Sequence, residues 1–593
     1  MNRRPRSRLF RAGLTALSHA IFAVALAAQE VPVSEFTLDN GMTFLVAPRK
    51  DSATALCGFA ARVGSANERP GITGLAHLFE HLLFKGTRTI GTTNAERDLE
   101  IIAAQERVKD AMRAEDRAIR ERVRRGEIDD PASPAARSER YRELEAEFER
   151  LVREQRRVLV PDEFDRLLSE AGAADVNAFT SEDMTVYYCE IPVNKLELWF
   201  WLESERLRDP VLREFYAERD VVAEERRQRT ESTPTGPFDE TFESLFWEAH
   251  PYSWPIIGWP SDLANISKRD ADEFFATYYA PNNLGAVVAG NVDVAAVRAL
   301  AERYFGRLER APAPPPDVVT IEPSPSAEKR MLAAAETNPS VEIRWKTVPW
   351  GHRDSFALGS LAAILNGQSG RFYERLVERD GVATDADAIQ YGLKYAGYFA
   401  VSGTCRKGVE PDALERALLR EIESLAAAEA EPAELEKVKN QSFAESVRRL
   451  RSSHGLGMEL LEAFGYGDWR AVNEHPRRER EVTLADVRRA AAKYLRPDVR
   501  AVATFVRKKG TGAFAAAEEG DAALAGLDPE ARRIANAILE EMEGLDPEEL
   551  ALAIEDLEAA LEEAPDEARP AIRHVLKKLA AKPAGPGGEE KRR

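Results

Sequence analysis

The chain has 593 residues, of which 44% are apolar, so it is long enough for two or more domains with substantial cores. Its 82 basic and 101 acidic residues give a net charge of −19, which argues against nucleic acid as the main partner because phosphate binding needs a basic surface. Three cysteines are too few for a disulfide framework.

Segment 1–28 has the pattern of a signal peptide. Arginines at positions 3, 4, 6, 8 and 11 precede an apolar run over 12–28, and Ala25 and Ala27 form a small-x-small cleavage site. The run is short for a membrane span, and no later segment has about 18 uninterrupted apolar residues. We therefore expect an exported protein, periplasmic or extracellular, with no transmembrane segment in the mature chain, and an uncleaved N-terminal anchor is the weaker alternative.

The next segments predict a mixed domain over 30–310. Two strands flank a turn within 36–46, a third strand covers 55–63, and a helix covers 73–84. Segment 104–160 holds 15 basic and 14 acidic residues with sparse apolar residues at helical spacing. It predicts a charged helical hairpin inserted into the domain. A solvated insertion without chemistry is one interpretation of this hairpin, and a partner-docking arm is the other.

An internal repeat predicts a second domain over 327–508. A helix-capping pair, a tyrosine, a proline and a following apolar strand recur at a constant offset of 216 residues. The repeated positions are Ser267, Asp270, Tyr278 and Pro281 in the first copy, and Thr483, Asp486, Tyr494 and Pro497 in the second. The proline-rich segment 311–326 predicts the linker between the copies. We expect a helical extension over 509–581 and a disordered tail over 582–593.

A histidine pair on the predicted helix 73–84 is the strongest chemical signal. His77 and His81 are four residues apart, and Glu80 shares their helix face. Two imidazoles at this spacing can occupy two positions around a tetrahedral Zn²⁺, with the carboxylate beside a metal-bound water. Only 8 of 593 residues are histidines, so the pattern is rare by chance. It predicts a zinc site.

A catalytic zinc site needs a third protein ligand, and the acidic segment 218–225 is the best candidate for it. Glu218 and Glu225 are seven residues apart and share one helix face. One carboxylate could bind the metal and the other could hold a ligand histidine in one tautomer. Without further information, an acidic surface helix explains the same pattern.

The order His-x-x-Glu-His resembles that of the inverzincins. More closely, the chain resembles peptidase family M16, which includes pitrilysin, insulin-degrading enzyme and the mitochondrial processing peptidases. The resemblance covers about 34–508 and rests on five segments in the family's order: LDNGMTFLVAP (38–48), TGLAHLFEHLLFKGT (73–87), NAFTSEDMTVYY (177–188), ERDVVAEERRQR (218–229) and HPYSWPIIGW (250–259).

The resemblance implies an α+β fold in which two duplicated domains form a clamshell. It also implies a residue for each role: His77, His81 and Glu225 as zinc ligands, Glu80 as catalytic base, Glu218 as the residue that supports a ligand, and Asn177 and Ala178 as the edge strand that pairs with the substrate. Glu224 is a second choice for the third ligand, because it points about 100° away from Glu225 on a helix.

The chain departs from the family at two places. The 143 residues between His81 and Glu225 nearly double the usual gap, and the charged hairpin accounts for the excess. In the second domain, Val377 and Thr384 stand where the family often has an arginine and a tyrosine that bind substrate. Some M16 members work as pairs in which one chain supplies zinc and the other supplies that pair of residues. The resemblance therefore implies a heterodimer with an M16-like paralogue that lacks His-x-x-Glu-His.

These observations predict an exported zinc endopeptidase that hydrolyses peptides or unfolded polypeptides, with zinc as its cofactor. In this hypothesis Glu80 is the general base for a zinc-bound water. The alternative is a non-catalytic, M16-like structural or binding subunit of a larger complex. The intact set of His77, Glu80 and His81 favours the enzyme, because a structural role needs neither the metal nor the base.

Overall fold

The computed structural model describes residues 30–508, apart from 51, 131, 132, 134, 135 and 429, and isolated residues between 535 and 576. The chain divides into two units, Met1–Val506 and Arg507–Arg593. The predicted signal peptide and C-terminal tail lie outside the described residues, as does most of the predicted helical extension, whose described residues between 535 and 576 are helical. Within the described part of the chain, no helix is long and apolar enough to cross a bilayer.

The first half of the larger unit contains a six-stranded sheet with strand order β1-β2-β6-β3-β5-β4. Its strands are β1 (Ser34–Thr37), β2 (Thr43–Pro48), β3 (Thr54–Ala61), β4 (Ala174–Thr180), β5 (Thr185–Pro192) and β6 (Leu284–Gly290). The central strand β6 is buried throughout, since it is almost entirely apolar and pairs with β2 and β3. The two strands predicted within 36–46 are β1 and β2, which pair as an antiparallel hairpin.

Helices cover one face of this sheet and form the main core with it. In chain order the helices of the first half are α1 (Leu75–Leu82), α2 (Ala95–Arg124), α3 (Glu139–Gln155), α4 (Glu163–Glu170), α5 (Leu196–Arg208), α6 (Phe215–Arg226), α7 (Gly236–Phe246), α8 (Pro260–Asn265), α9 (Lys268–Tyr278) and α10 (Val294–Tyr304).

The charged insertion forms the predicted helical hairpin, and it begins earlier than expected because α2 starts at Ala95. Helices α2 and α3 run antiparallel: Arg97 at the start of α2 pairs with Glu154 at the end of α3, and the Ser138 hydroxyl donates to Glu115 over 2.7 Å. Their facing sides share a small apolar core that includes Met112, while most of the charged residues are exposed and Asp98 is buried in an ion pair with Arg213. The pattern of sparse apolar residues therefore reflects a thin helix–helix contact.

The second half repeats the arrangement with a five-stranded sheet of order β7-β11-β8-β10-β9. Its strands are β7 (Lys329–Ala335), β8 (Ser340–Thr347), β9 (Ala383–Gly392), β10 (Gly397–Cys405) and β11 (Arg500–Arg507). Its helices are α11 (Arg353–Leu365), α12 (Pro411–Ala427), α13 (Pro432–Arg449), α14 (Ser453–Tyr466), α15 (Ala471–Glu481) and α16 (Leu484–Tyr494). The predicted fold class, α+β with two related sheets, is confirmed.

The two copies of the repeat are equivalent in detail. Ser267 caps α9 and Thr483 caps α16, each through a reciprocal capping box with the aspartate three residues later. Each helix leads through a short 3-10 turn that begins at a proline into a strand, β6 or β11. The same local signals therefore build the same helix–turn–strand unit twice.

The two halves exchange one helix each. Helix α14 of the second half packs on the first sheet, where Leu456 and Leu460 contact the apolar face that includes Leu56. Helix α7 of the first half packs on the second sheet next to β7, and its Phe242 and Phe246 share an apolar cluster with Ala501 and Ala503 of β11. Each half therefore completes the core of the other.

The proline-rich segment 311–326 contains no helix or strand. It is nevertheless held in place, because the Glu322 carboxylate accepts hydrogen bonds from the backbone N–H groups of Glu248, Ala249 and His250. Lys346 of β8 also pairs with Glu322. The segment is thus fixed to both halves at one point.

Candidate metal centre

Helix α1 carries the histidine pair on one side and the apolar core on the other. Leu75, Leu78 and Leu82 are fully buried, whereas His77 and His81 are only partly buried. The helix begins at Gly74, whose φ of 89° suits glycine, and a Cβ there would lie 2.5 Å from the Ile257 carbonyl oxygen. The apolar spacing of the helix thus presents both imidazoles on its accessible face.

Glu225 of α6 meets this face. The Nε2 atoms of His77 and His81 lie 3.8 Å and 3.6 Å from Glu225 Oε2, and one ligand atom from each residue lies within 4.8 Å of the other two. Two imidazole nitrogens and one carboxylate oxygen form a common donor set for zinc, at spacings close to those of ligands about 2.0–2.1 Å from one ion. Glu224 points elsewhere and pairs with Arg227. These residues fit a zinc ion with one position left for water or substrate.

Glu218 contacts His81 at Nδ1, the ring nitrogen that does not face Glu225. Its Oε1 lies 2.9 Å from His81 Nδ1, and its Oε2 lies 2.6 Å from Lys85 Nζ. Burial raises the pKa of Glu218, but the hydrogen bonds from His81 and Lys85 outweigh burial and hold it below its usual value. An ionised Glu218 favours the proton on His81 Nδ1, which leaves Nε2 free to face Glu225. Sequence reasoning missed Lys85, which lies in the quoted segment 73–87 but carries no metal-site signal of its own.

Glu80 lies next to the three-residue cluster. Its Oε2 accepts a hydrogen bond of 2.6 Å from the Thr180 hydroxyl at the end of β4. Burial raises the pKa of Glu80. Burial, together with the charges of His81 and Arg229, lowers the pKa of His77 to about 4, so this imidazole is neutral near pH 7 and can act as a ligand. The charge states of His77 and Glu80 therefore suit a metal site with an adjacent base, whereas the carboxylates around His81, Glu218 above all, raise the pKa of that imidazole against the effect of burial.

Asn177 and Ala178 lie on β4, the outer strand of the first sheet. They pair with Tyr188 and Tyr187 of β5 on one side, and β4 has no partner strand on its other side among the described residues. Because Thr180 of the same strand contacts Glu80, this open strand edge runs beside the candidate metal centre. A peptide added to that edge would pass close to Glu80.

Sequence reasoning also missed Glu68, a buried carboxylate at the start of α1. It accepts hydrogen bonds from the backbone N–H groups of Gly74 over 2.8 Å and Ala76 over 2.6 Å. Burial raises its pKa well above the usual value. The arrangement fixes the first turn of the helix that bears the histidines. The only available signal was an acidic residue shortly before a predicted helix, which is too common to mark this role.

The second half offers no arginine at the positions that the family uses for substrate. Val377 is buried, and Thr384 stands exposed on β9. The nearby arginines are engaged with carboxylates of their own half: Arg371 with Glu434, Arg375 with Glu421, and Arg379 with Asp380.

Two family profiles match the chain. The profile described as Insulinase (Peptidase family M16) matches residues 45–109, which contain α1, and the profile described as Peptidase M16 inactive domain matches residues 265–442. The chain belongs to peptidase family M16. This M16 chain is 25% identical over 484 residues to Zinc protease PqqE of Helicobacter pylori, covering 79% of this chain and 92% of that protein. It is 29% identical over 138 residues to the mitochondrial-processing peptidase subunit beta of Caenorhabditis elegans, covering 23% of this chain and 30% of that protein.

Solved structures show the same fold. A protease from Helicobacter pylori superposes with a TM-score of 0.65 at 23% identity, covering 80% of this chain and 99% of that one. The periplasmic protease PqqL from Escherichia coli superposes with a TM-score of 0.60 at 14% identity, and the match covers 94% of this chain but 51% of that larger protein. The names of the sequence relatives support the peptidase class and a zinc cofactor.

Proposed function

We propose that this M16 chain is an exported zinc endopeptidase that hydrolyses peptides or unfolded polypeptides. One observation carries the proposal: His77, His81 and Glu225 direct three zinc-type donor atoms to one point, and Glu80 lies beside them on the same helix face. A purely structural subunit would need neither this donor set nor a half-buried carboxylate next to it.

In the proposed reaction each residue has one task. When bound, zinc supplies Lewis-acid chemistry that polarises a peptide carbonyl and makes water more acidic. Glu80 takes a proton from the attacking water and passes it to the leaving amine, and the increase in its pKa through burial favours this role. Glu218 keeps His81 in the ligand tautomer. The free edge of β4, with Asn177 and Ala178, aligns an extended peptide.

Glu80→Gln tests the proposed base. The amide cannot accept the proton, so we expect turnover of a generic unfolded substrate to fall by about 10²–10⁴-fold while zinc content stays unchanged. Metal analysis and a peptide-cleavage assay on the same sample measure both. Thr180→Val is the matched control, because it removes the hydrogen bond to Glu80 but keeps the carboxylate and should cost much less. Unchanged cleavage by Glu80→Gln would exclude Glu80 as the base and favour the non-catalytic subunit.

We further propose that the active species is a heterodimer with an M16-like paralogue that lacks His-x-x-Glu-His. The support is that Val377 and Thr384 replace the family's substrate-binding pair and that the nearby arginines are already paired. Cleavage by the purified chain should be weak and should rise when a paralogue with the arginine and tyrosine is added. Full activity of the chain as a monomer would contradict this dependence.

Export of the chain is likewise a proposal, and it rests on segment 1–28. N-terminal sequencing of the protein recovered from the cell envelope and from the cytoplasm tests it. We expect an envelope form that begins after the small-x-small segment 25–27. Recovery of the uncleaved chain in the cytoplasm alone would contradict export.

A further inference from the structure

A second cluster of metal-type donors lies on the opposite face of the first sheet. Asp175, Glu190 and His454 each place one ligand atom within 4.8 Å of the other two, and His454 Nδ1 lies 3.1 Å from Glu190 Oε1. Tyr187 and the other residues of β5 that alternate with Glu190 pack on the core that contains α1. Glu190 instead faces α14 of the second half, which carries His454. The cluster is therefore separate from the candidate metal centre.

A local irregularity of β4 brings the third member to this face. Ala174 lies opposite Glu190, so strict alternation along the strand would turn Asp175 to the other face. The strand has a bulge between Ala174 and Asn177, and Asp175 adopts a φ of 49°, which is uncommon for a non-glycine residue. The Asp175 carboxylate thereby reaches the imidazole of His454 and the carboxylate of Glu190.

The charge balance of this cluster favours a cation, because two carboxylates face one imidazole. Among the described residues, neither Asp175 nor Glu190 has a lysine or arginine within ion-pair distance, and His454 is the only basic side chain paired with Glu190. The donors are one imidazole nitrogen and two carboxylate oxygens, a set that suits zinc. They stand on two paired strands and the first turn of a helix, and the Tyr188 ring packs edge-on against His454 at 6.0 Å. The site thus lies between two paired strands and a helix, with Asp175 presented by the bulge of β4.

We propose that Asp175, Glu190 and His454 bind a second zinc ion, which ties α14 of the second half to the edge of the first sheet. The ion would link the exchanged helix to β4, the strand that also carries Asn177 and Ala178. Its role would be structural: it would hold the two halves together next to the proposed substrate strand. The fourth coordination position would be filled by water, since Asp175 is exposed.

Zinc stoichiometry of the full chain at buffered micromolar free zinc tests the proposal. We expect two zinc ions per wild-type chain and one in Asp175→Asn or His454→Gln. The variant His77→Ala/His81→Ala should hold one, and its combination with His454→Gln should hold none. Asp272→Asn, an exposed carboxylate on α9 paired with Lys268, is the matched control and should keep two. If the site at His77 and His81 held no zinc, the wild type would bind one ion and Asp175→Asn none. Failure of the proposed catalytic site can therefore be distinguished from failure of the second site.

Thermal unfolding supplies the second measurement. Added zinc should raise the Tm of His77→Ala/His81→Ala and should leave the Tm of the combined variant unchanged, because binding to the native state stabilises it. Wild-type zinc content in both Asp175→Asn and His454→Gln would overturn the proposal. A second ion that binds only at millimolar zinc would overturn it as well.

Discussion

The two halves of the larger unit are the same fold with different chemistry. In the first half, the helix after β3 is α1, whose accessible face carries His77, Glu80 and His81. In the second half, the helix after β8 is α11, in which nine of 13 residues are buried and no histidine occurs. The same sheet and helix frame thus occurs in both copies, and only the first carries the proposed catalytic metal site.

The 216-residue offset also identifies equivalent residues in helices α6 and α13 of the two copies. It relates Glu218 of α6 to Glu434 of α13, and Glu225 to Gln441. Glu218 holds His81 in the first half, whereas Glu434 holds Arg371 through two hydrogen bonds of 2.7 Å in the second. The equivalent carboxylate thus supports a metal-type histidine in one copy and forms an ion pair in the other. A substitution at Glu218 or Glu225 can therefore be compared with the same substitution at the equivalent residue of the second copy.

Glu225→Ala has the largest expected effect. It removes one of three proposed ligands, so we expect zinc to be lost on dialysis and cleavage to disappear. Gln441→Ala changes the equivalent position of the second copy and should leave zinc content normal. Metal analysis of both variants, with circular dichroism to check folding, makes the comparison. Normal zinc in Glu225→Ala would move the third ligand to another residue, with Glu224 as the first to test.

Glu218→Gln should have a smaller effect on the metal. The amide still reaches His81 but no longer supplies a negative charge behind it, so we expect zinc affinity or activity to fall by about 10–100-fold. Glu434→Gln, the equivalent change, should lower the free energy of unfolding and leave zinc affinity unchanged, because its partner is Arg371. Competition with a zinc chelator measures the affinity of both. Equal zinc affinities in the two variants would contradict a supporting role for Glu218.

Local sequence signals predicted the repeated elements well. The capping residues Ser267 and Thr483 act within three residues of themselves, so their roles are readable without tertiary information. The spacing of His77 and His81 is equally local, because a helix fixes their common face. The preference for Glu225 over Glu224 followed from helix geometry and the family resemblance together.

Features that depend on tertiary contacts could not be predicted. The apolar face of α14 shows that the helix is buried, but not that it covers the sheet of the other half. Glu68 and Lys85 act through groups that only the fold brings to them, namely the N–H groups of α1 and the Glu218 carboxylate. The bulge at Asp175 leaves no mark in the hydrophobic pattern, because one extra residue in a strand edge changes only the local alternation.

Glu182, between β4 and β5 of the first half, interacts electrostatically with Tyr391 and Tyr398 of the second half, so the contact between the halves should be sensitive to pH through this residue. Burial raises the pKa of this carboxyl group to about 7, with smaller contributions from Asp183 and Glu243. The native state thus keeps the proton over a range in which the unfolded chain, with a pKa near 4.5, has released it. This contribution to stability is present below about pH 4.5 and is lost as pH rises through about 7, with an upper limit of about 3 kcal/mol.

Glu182→Gln tests this sign, because a neutral amide cannot ionise. The free energy of urea unfolding is measured for both proteins at pH 5 and at pH 8. The difference between the variant and wild type should be more favourable to the variant at pH 8 than at pH 5. Glu197→Gln, an exposed carboxylate paired with Arg303, is the control and should show no such gain. The same pH dependence in Glu182→Gln and wild type would exclude Glu182 as the source.

Gly285→Ala probes the helix exchange itself and has the smallest expected effect. Gly285 of β6 lies under α14, and a Cβ there would lie 2.3 Å from the Phe464 ring, which is itself covered by the Arg62 guanidinium at 4.0 Å. The ring cannot move away without breaking that contact, so we expect a loss of about 1–3 kcal/mol in the free energy of unfolding. Gly359→Ala in α11 is the matched control, because a Cβ there meets no atom within 4 Å and should be neutral or stabilising.

The offset places Ala501 at the equivalent position of the second copy, where α7 accommodates a methyl group. A neutral Gly285→Ala would show that α14 can shift on the first sheet, so that the two exchanged contacts would differ in rigidity as well as in chemistry.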